Sequence, residues 1–176
     1  MIKVDLIRKS KYSRPKTKIS DIKGIVFHWV ANPKQSAQGV RNYFDMKSKE
    51  TFSSAHYCID DNEIIRCIPE NEMAYHVGAR AYNKELLERL DITYPNAHMI
   101  GIELCHDDWT GKFSESVLDQ AVELGAYLMI EYGLESNQIF RHYDITYKNC
   151  PKYFVENPDE WKAFYTRIIE RAKELT

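Results

Sequence analysis

A histidine and a cysteine stand eight residues apart in Arg141-His142-Tyr143-Asp144-Ile145-Thr146-Tyr147-Lys148-Asn149-Cys150-Pro151, with a lysine two positions before the cysteine. Imidazole and thiolate are good ligands for Zn²⁺, and a catalytic zinc site takes three protein ligands and keeps a fourth position open. The two side chains are too far apart for one helical turn, so the segment between them is expected to be a loop that folds back on the metal. Lys148 then brings a fixed positive charge to the open position. A third ligand is offered by His28, near the end of the apolar run Gly24-Ile25-Val26-Phe27-His28-Trp29-Val30. A lone histidine in such a run is more often a satisfied core residue; two further ligand-type side chains in the chain favour a ligand. Glu103 stands alone among the apolar residues of Met99-Ile100-Gly101-Ile102-Glu103-Leu104-Cys105. A carboxylate is seldom buried unless it is paired or functional, so Glu103 is the candidate general base. The alternative is an edge-strand glutamate facing water. A metal, a proton-transferring carboxylate and a cation for the oxyanion form the set needed for metal-assisted hydrolysis of an amide.

The elements that must position these residues follow from periodicity. Residues 22–30 read as a central strand, because the apolar run is continuous, as when both faces are covered. Residues 4–7 give a short first strand, and residues 8–21, with Pro15 and the basic side chains Lys9, Lys11, Arg14, Lys16 and Lys18, an extended loop with a solvated basic surface. Ser36 is the expected N-cap of a helix to about Lys47. Residues 53–60 and 63–68 form a hairpin around Asp60-Asp61-Asn62, and His56 shares a face with Cys58. A short helix is expected around Leu86, Leu87 and Leu90, and a strand over 99–105. The longest helix should run from Ser114 to Tyr132, with Gly133 just beyond its end. Residues 138–142 make a strand that delivers His142, and Asn157 caps a final helix that starts at Pro158. Strands alternating with helices predict an α/β fold: one domain, residues 1–176, with a central mixed sheet flanked by helices. The hairpin rules out a purely parallel sheet.

A chain of 176 residues suits one well-packed domain. The formal net charge of −2 gives no field for nucleic acid. No apolar run reaches membrane-spanning length, so no membrane insertion is expected. The N-terminal residues interleave charges with apolar side chains and lack a cleavage site, so they do not read as a signal peptide. The cysteines Cys58, Cys67, Cys105 and Cys150 form no CxxC pair. The first three read as buried reduced thiols, with a Cys58–Cys67 bridge in an oxidising compartment as the alternative.

Five stretches, in order, resemble the type-2 N-acetylmuramoyl-L-alanine amidases, the family of phage endolysins, bacterial autolysins and animal peptidoglycan recognition proteins. They are Gly-Ile-Val-Phe-His-Trp (24–29), Ser-Ala-His-Tyr (54–57), Ala-Tyr-His-Val-Gly (74–78), Ile-Gly-Ile-Glu-Leu (100–104) and His142 with Lys148-Asn149-Cys150-Pro151. Tyr-Ser-Arg-Pro (12–15) and Ala-Asn-Pro (31–33) resemble the endolysin and autolysin branch of Gram-positive bacteria and their phages. The resemblance implies one zinc on His28, His142 and Cys150, Glu103 as acid and base, and Lys148 as stabiliser of the tetrahedral intermediate. It places His56 and His76 beside the substrate groove; the alternative for His56 is packing between sheet and helix. Ala55 stands where some phage members carry a catalytic tyrosine, so no tyrosine is expected in that role. His98 and His106 match no motif and are expected at the surface. The implied substrate is peptidoglycan, cut between the lactyl group of N-acetylmuramic acid and L-alanine. The protein would be made in the cytoplasm and reach the wall by release or export, and endolysins often carry a C-terminal wall-binding domain. Two rival readings remain: the same groove binding muropeptide without hydrolysis, and a cysteine hydrolase with Cys150 as nucleophile and His142 as base.

Overall fold

The computed structural model describes every residue from Met1 to Thr176. Six strands form one sheet: β1 (Ile2–Val4), β2 (Gly24–Trp29), β3 (Tyr57–Ile59), β4 (Ile64–Arg66), β5 (Met99–Leu104) and β6 (Ile139–Arg141). Their spatial order is β1-β4-β3-β5-β2-β6. Only the β3–β4 hairpin is antiparallel; the other neighbouring pairs are parallel. The expected central mixed sheet is therefore present. Its helices are α1 (Ala37–Phe44), α2 (Lys84–Leu90), α3 (Glu115–Glu131), α4 (His142–Thr146), α5 (Lys152–Glu156) and α6 (Pro158–Leu175).

The central strands β2 and β5 are covered on both faces, and their two-residue period sorts side chains between two different environments. Ile25, Phe27, Ile100, Ile102 and Leu104 enter the larger core, together with Val117, Leu124 and Leu128 of α3 and Phe164 and Ile168 of α6. Val26 and Met99 point to the other face and pack with Leu86 and Leu90 of α2 and Ile145 of α4. By the same alternation His28, Gly101 and Glu103 share this second face. The strands read as uniformly apolar runs, yet all their chemistry lies on one side.

Two of the expected helix starts are made as read. Ser36 Oγ accepts the Gly39 amide and Ser114 Oγ accepts the Val117 amide. Gly133, at φ +60°, follows α3 in the left-handed conformation that glycine adopts without cost. Other expectations shift. The first strand lies at Ile2–Val4, where it can pair in parallel with β4. α1 stops at Phe44. α6, with 18 residues, is longer than α3, with 17. Asn157 makes no side-chain cap; its amide turns back to donate to the Tyr153 carbonyl, because α5 ends immediately before it.

The basic loop is not wholly solvated. Arg14 is buried and holds Glu72 through Nε and Nη2, at 2.7 and 3.1 Å, while Nη1 donates to the Ile7 carbonyl. Lys49 is buried and donates to Ser13 Oγ, and Ser54 Oγ donates to the Ser13 carbonyl. The Tyr-Ser-Arg-Pro stretch thus braces residues 52–54. His106, expected at the surface, is buried: it stacks on Trp29 and sets both ring nitrogens against backbone carbonyls of Val30 and Asp108. All four cysteines are free and buried, with the Cys58 and Cys67 sulfurs 3.6 Å apart.

Candidate functional site

Strand register lines up the first three side chains. Glu103 on β5 pairs with His28 on β2. On the other side of β2, Phe27 pairs with Arg141, the last residue of β6. His142 is one residue further on and comes to stand beside His28, with ring centroids 4.7 Å apart. His142 is the first residue of α4 rather than the end of a strand. The cap of that short helix is ionic: Arg141 and Asp144 pair through the guanidinium at 2.7 Å, and Asp144 also accepts the Arg141 amide.

Cys150 returns to His142 because the chain reverses immediately after α4. Tyr147 takes a left-handed conformation at φ +64°. The Tyr143 amide then donates to the Cys150 carbonyl at 2.9 Å, closing the loop. The segment expected to be a loop is therefore one turn of helix followed by a tight return, and it brings the sulfur to the imidazoles as the spacing required.

His28 Nδ1 lies 3.1 Å from His142 Nδ1 and 3.7 Å from Cys150 Sγ. The three donor atoms all fall within 4.8 Å of one another, and all three residues are buried. Tetrahedral zinc with nitrogen at about 2.0–2.1 Å and sulfur at about 2.3 Å would set its ligand atoms about 3.3 and 3.6 Å apart. The two separations from His28 and the donor chemistry therefore fit a metal ion of this kind, and this buried group could bind one.

Electrostatics favour neutral imidazoles. Burial holds His28 well below the ordinary histidine value, aided by His142, His76 and Lys148. His142 is lowered to about 4 by burial and then by Lys148. Neutral imidazole is the form that ligates. Burial, then Glu103, pushes the Cys150 thiol up to about 12, so without a cation it stays protonated. Burial also raises Glu103 to about 8, with Lys148 opposing. Glu103 is only partly buried by surface area, since its side chain opens onto the cleft.

The cleft has a volume of about 480 Å³. His28, His142, Cys150, Glu103, Lys148 and His76 all line it, so six of the seven residues singled out from the sequence are brought together. Lys148 is exposed at its edge. The seventh, His56, is a correction: it has no exposed surface and does not reach the cleft. Its Nδ1 accepts the Gly101 amide and its Nε2 donates to the Glu72 carbonyl, so both ring nitrogens are spent on backbone. Burial lowers it to about 4. His76 lines the cleft, but Nδ1 lies 3.0 Å from His28 Nε2 and Nε2 lies 3.0 Å from the Met99 carbonyl. Phe52, Tyr75, Tyr94 and Asn96 also line the cleft, and none of them was singled out as a site residue from the sequence. Phe52, Tyr75 and Tyr94 lie outside helices and strands, so only their aromatic character could have marked them; Asn96 sits in a short 3-10 turn, Pro95–Ala97.

The model of the N-acetylmuramoyl-L-alanine amidase family, Amidase_2, matches residues 18–153. The chain belongs to this family. A probable N-acetylmuramoyl-L-alanine amidase of Bacillus licheniformis is 37% identical over 174 residues, which cover 96% of this chain and 48% of that protein. The amidase CwlL of the same organism is 37% identical over 177 residues, covering 96% of this chain and 47% of CwlL. The chain thus spans about half the length of these curated relatives. The solved catalytic domain of XlyA superposes with a TM-score of 0.75 at 24% identity, over 96% of this chain and 99% of that domain. At that identity the match speaks for the fold, and it is the amidase fold described above.

Proposed function

We propose that this chain is a zinc-dependent amidase domain that hydrolyses the bond between the lactyl group of N-acetylmuramic acid and L-alanine in peptidoglycan. The observation that carries the reading is the buried His28, His142 and Cys150 donor group at one end of a cleft that also holds Glu103. Family membership and the names of the curated relatives support the substrate. The substrate lies outside the cell membrane, so the protein must reach it by release or export. A wall-binding domain elsewhere in the full-length protein would add a second attachment to the same polymer.

His28, His142 and Cys150 would hold the metal. Zinc bound there supplies Lewis acidity and a water of near-neutral pKa. Glu103, in its ionised form, takes the proton of the attacking water and delivers it to the departing amide nitrogen. Lys148 places its ammonium at the cleft edge, where it opposes the negative charge growing on the carbonyl oxygen. Phe52, Tyr75 and Tyr94 give the cleft an aromatic lining against which the substrate can pack.

The test is digestion of purified peptidoglycan followed by mass spectrometry. Released stem peptides with free L-alanine amino groups, lost on chelation and restored by zinc, support the reading. Binding to the wall without release would make the chain a non-hydrolytic module. Activity that survives chelation would favour a thiol nucleophile, against which the protonated, buried Cys150 already argues.

A further inference from the structure

We propose that His76 is a positioning residue that aims the Nδ1 lone pair of His28 at the metal-binding position, and that Gly101 lacks a side chain in order to seat His76. This rests on the metal-centre reading above and adds to it the parts of the chain that set the ligand's orientation.

The hydrogen bonds fix the tautomers in turn. The Met99 carbonyl can only accept, so His76 Nε2, 3.0 Å away, must carry the proton. A neutral His76 then has a lone pair on Nδ1. That atom lies 3.0 Å from His28 Nε2, which must therefore be the donor. His28 is left with its lone pair on Nδ1, the atom that faces His142 and Cys150. The rings of His28 and His76 stand edge to face, at 88°, so a rotation of either breaks the contact. His142 has no equivalent support, because its Nε2 is buried without a partner. Of the two imidazoles, His28 is the one oriented by a side chain.

His76 is itself held from three sides. Asn96 Oδ1 accepts the amides of His76 and Val77 at 3.0 and 2.9 Å. Met99 anchors Nε2. Gly101 forms the floor: a β-carbon there would lie 2.4 Å from His76 Cγ and 2.6 Å from Nδ1. Those atoms are at the base of a ring tied at both nitrogens, so the ring cannot step aside without leaving His28. Gly101 does not line the cleft, yet its side chain is excluded by a residue that supports the metal site.

The experiment measures zinc affinity by chelator competition on the folded, substrate-free protein, with circular dichroism to confirm the fold. His76→Ala should weaken zinc by about 10–100-fold, the usual cost of losing a partner behind a ligating histidine. His76→Asn keeps an oxygen near the Nδ1 position to accept the His28 proton, and should recover most of that loss. Gly101→Ala should weaken zinc as His76→Ala does. Combining the two should cost no more than His76→Ala alone, since the displaced ring is then absent. Nitrogen chemical shifts in the metal-free protein should report Nε2–H tautomers at both His76 and His28. Unchanged affinity in His76→Ala, or an Nδ1–H tautomer at His28, overturns the proposal. Additive losses in the double variant overturn the role of Gly101. If the wild-type protein takes up no zinc, the metal-centre reading itself falls, and this inference with it.

Discussion

Replacing Glu103 by glutamine should lower activity and raise stability, and the two effects share one cause. In the metal-free protein, burial lifts the Glu103 carboxyl from 4.5 to about 8. A carboxyl whose folded value lies above its unfolded one contributes fully to stability below pH 4.5 or so. That contribution is lost as pH rises through about 8, because the unfolded chain ionises more easily. At about 1.4 kcal/mol per pH unit, a shift of this size sets a ceiling of about 5 kcal/mol. The side chain is only partly buried and opens onto the cleft, and a penalty of about 1–3 kcal/mol is the discounted expectation. Glutamine cannot ionise. Chelator-treated Glu103→Gln should therefore match the wild type at about pH 5 and exceed it by about 1–3 kcal/mol at about pH 9, read by urea unfolding at each pH. The same variant, loaded with zinc, should lose about 10²–10⁴ in kcat as a proton carrier is removed. Equal stability at both pH values would refute the burial argument. A kcat within a few-fold of wild type would remove Glu103 from the chemistry.

Cys150→Ser should lose most bound zinc by elemental analysis, since an alcohol is a far poorer zinc ligand than a thiolate; full retention would mean the donor group is wrongly composed. Lys148→Met should lower kcat by about 10²–10³ with little change in KM on a soluble muropeptide, as loss of one oxyanion partner does. A raised KM at wild-type kcat would make Lys148 a substrate-binding residue instead. Arg14→Met leaves the buried Glu72 carboxylate with only the exposed Lys18 ammonium, 3.5 Å away, and should cost about 2–4 kcal/mol by denaturant unfolding at neutral pH, below the full cost of an unpaired buried charge. Glu72 is held below the ordinary carboxyl range first by its hydrogen bond from Arg14, so the pair contributes above about pH 4.5 and fades as pH falls through the folded value. The wild-type advantage over Arg14→Met should shrink in acid, and an advantage unchanged at low pH would show that the pair is not its source.

The sequence by itself determined the strands of the site and most of its residues. β2 and β5 were legible because a strand covered on both faces must be apolar throughout, which made His28 and Glu103 conspicuous. Ser36 and Ser114 were legible because a cap is a bond between near neighbours. Cys150 and His142 were legible through ligand chemistry and spacing. Asn157 misled for the opposite reason: its side chain chose between two local partners, and the end of α5 decided which. The tertiary structure alone decided what lies behind His28, His142 and Cys150. His56 and His76 look alike in sequence, each an isolated histidine in a short motif. The fold spends His56 on the backbone of Gly101 and Glu72, and turns His76 toward His28. Arg14 and His106, read as surface residues, are buried because long-range partners satisfy them, Glu72 for Arg14 and the Val30 carbonyl for His106. Periodicity reports which face of an element a residue occupies. It carries no information about which loop, from elsewhere in the chain, closes over that face, and that is where a buried polar group finds the partner that makes its burial tolerable.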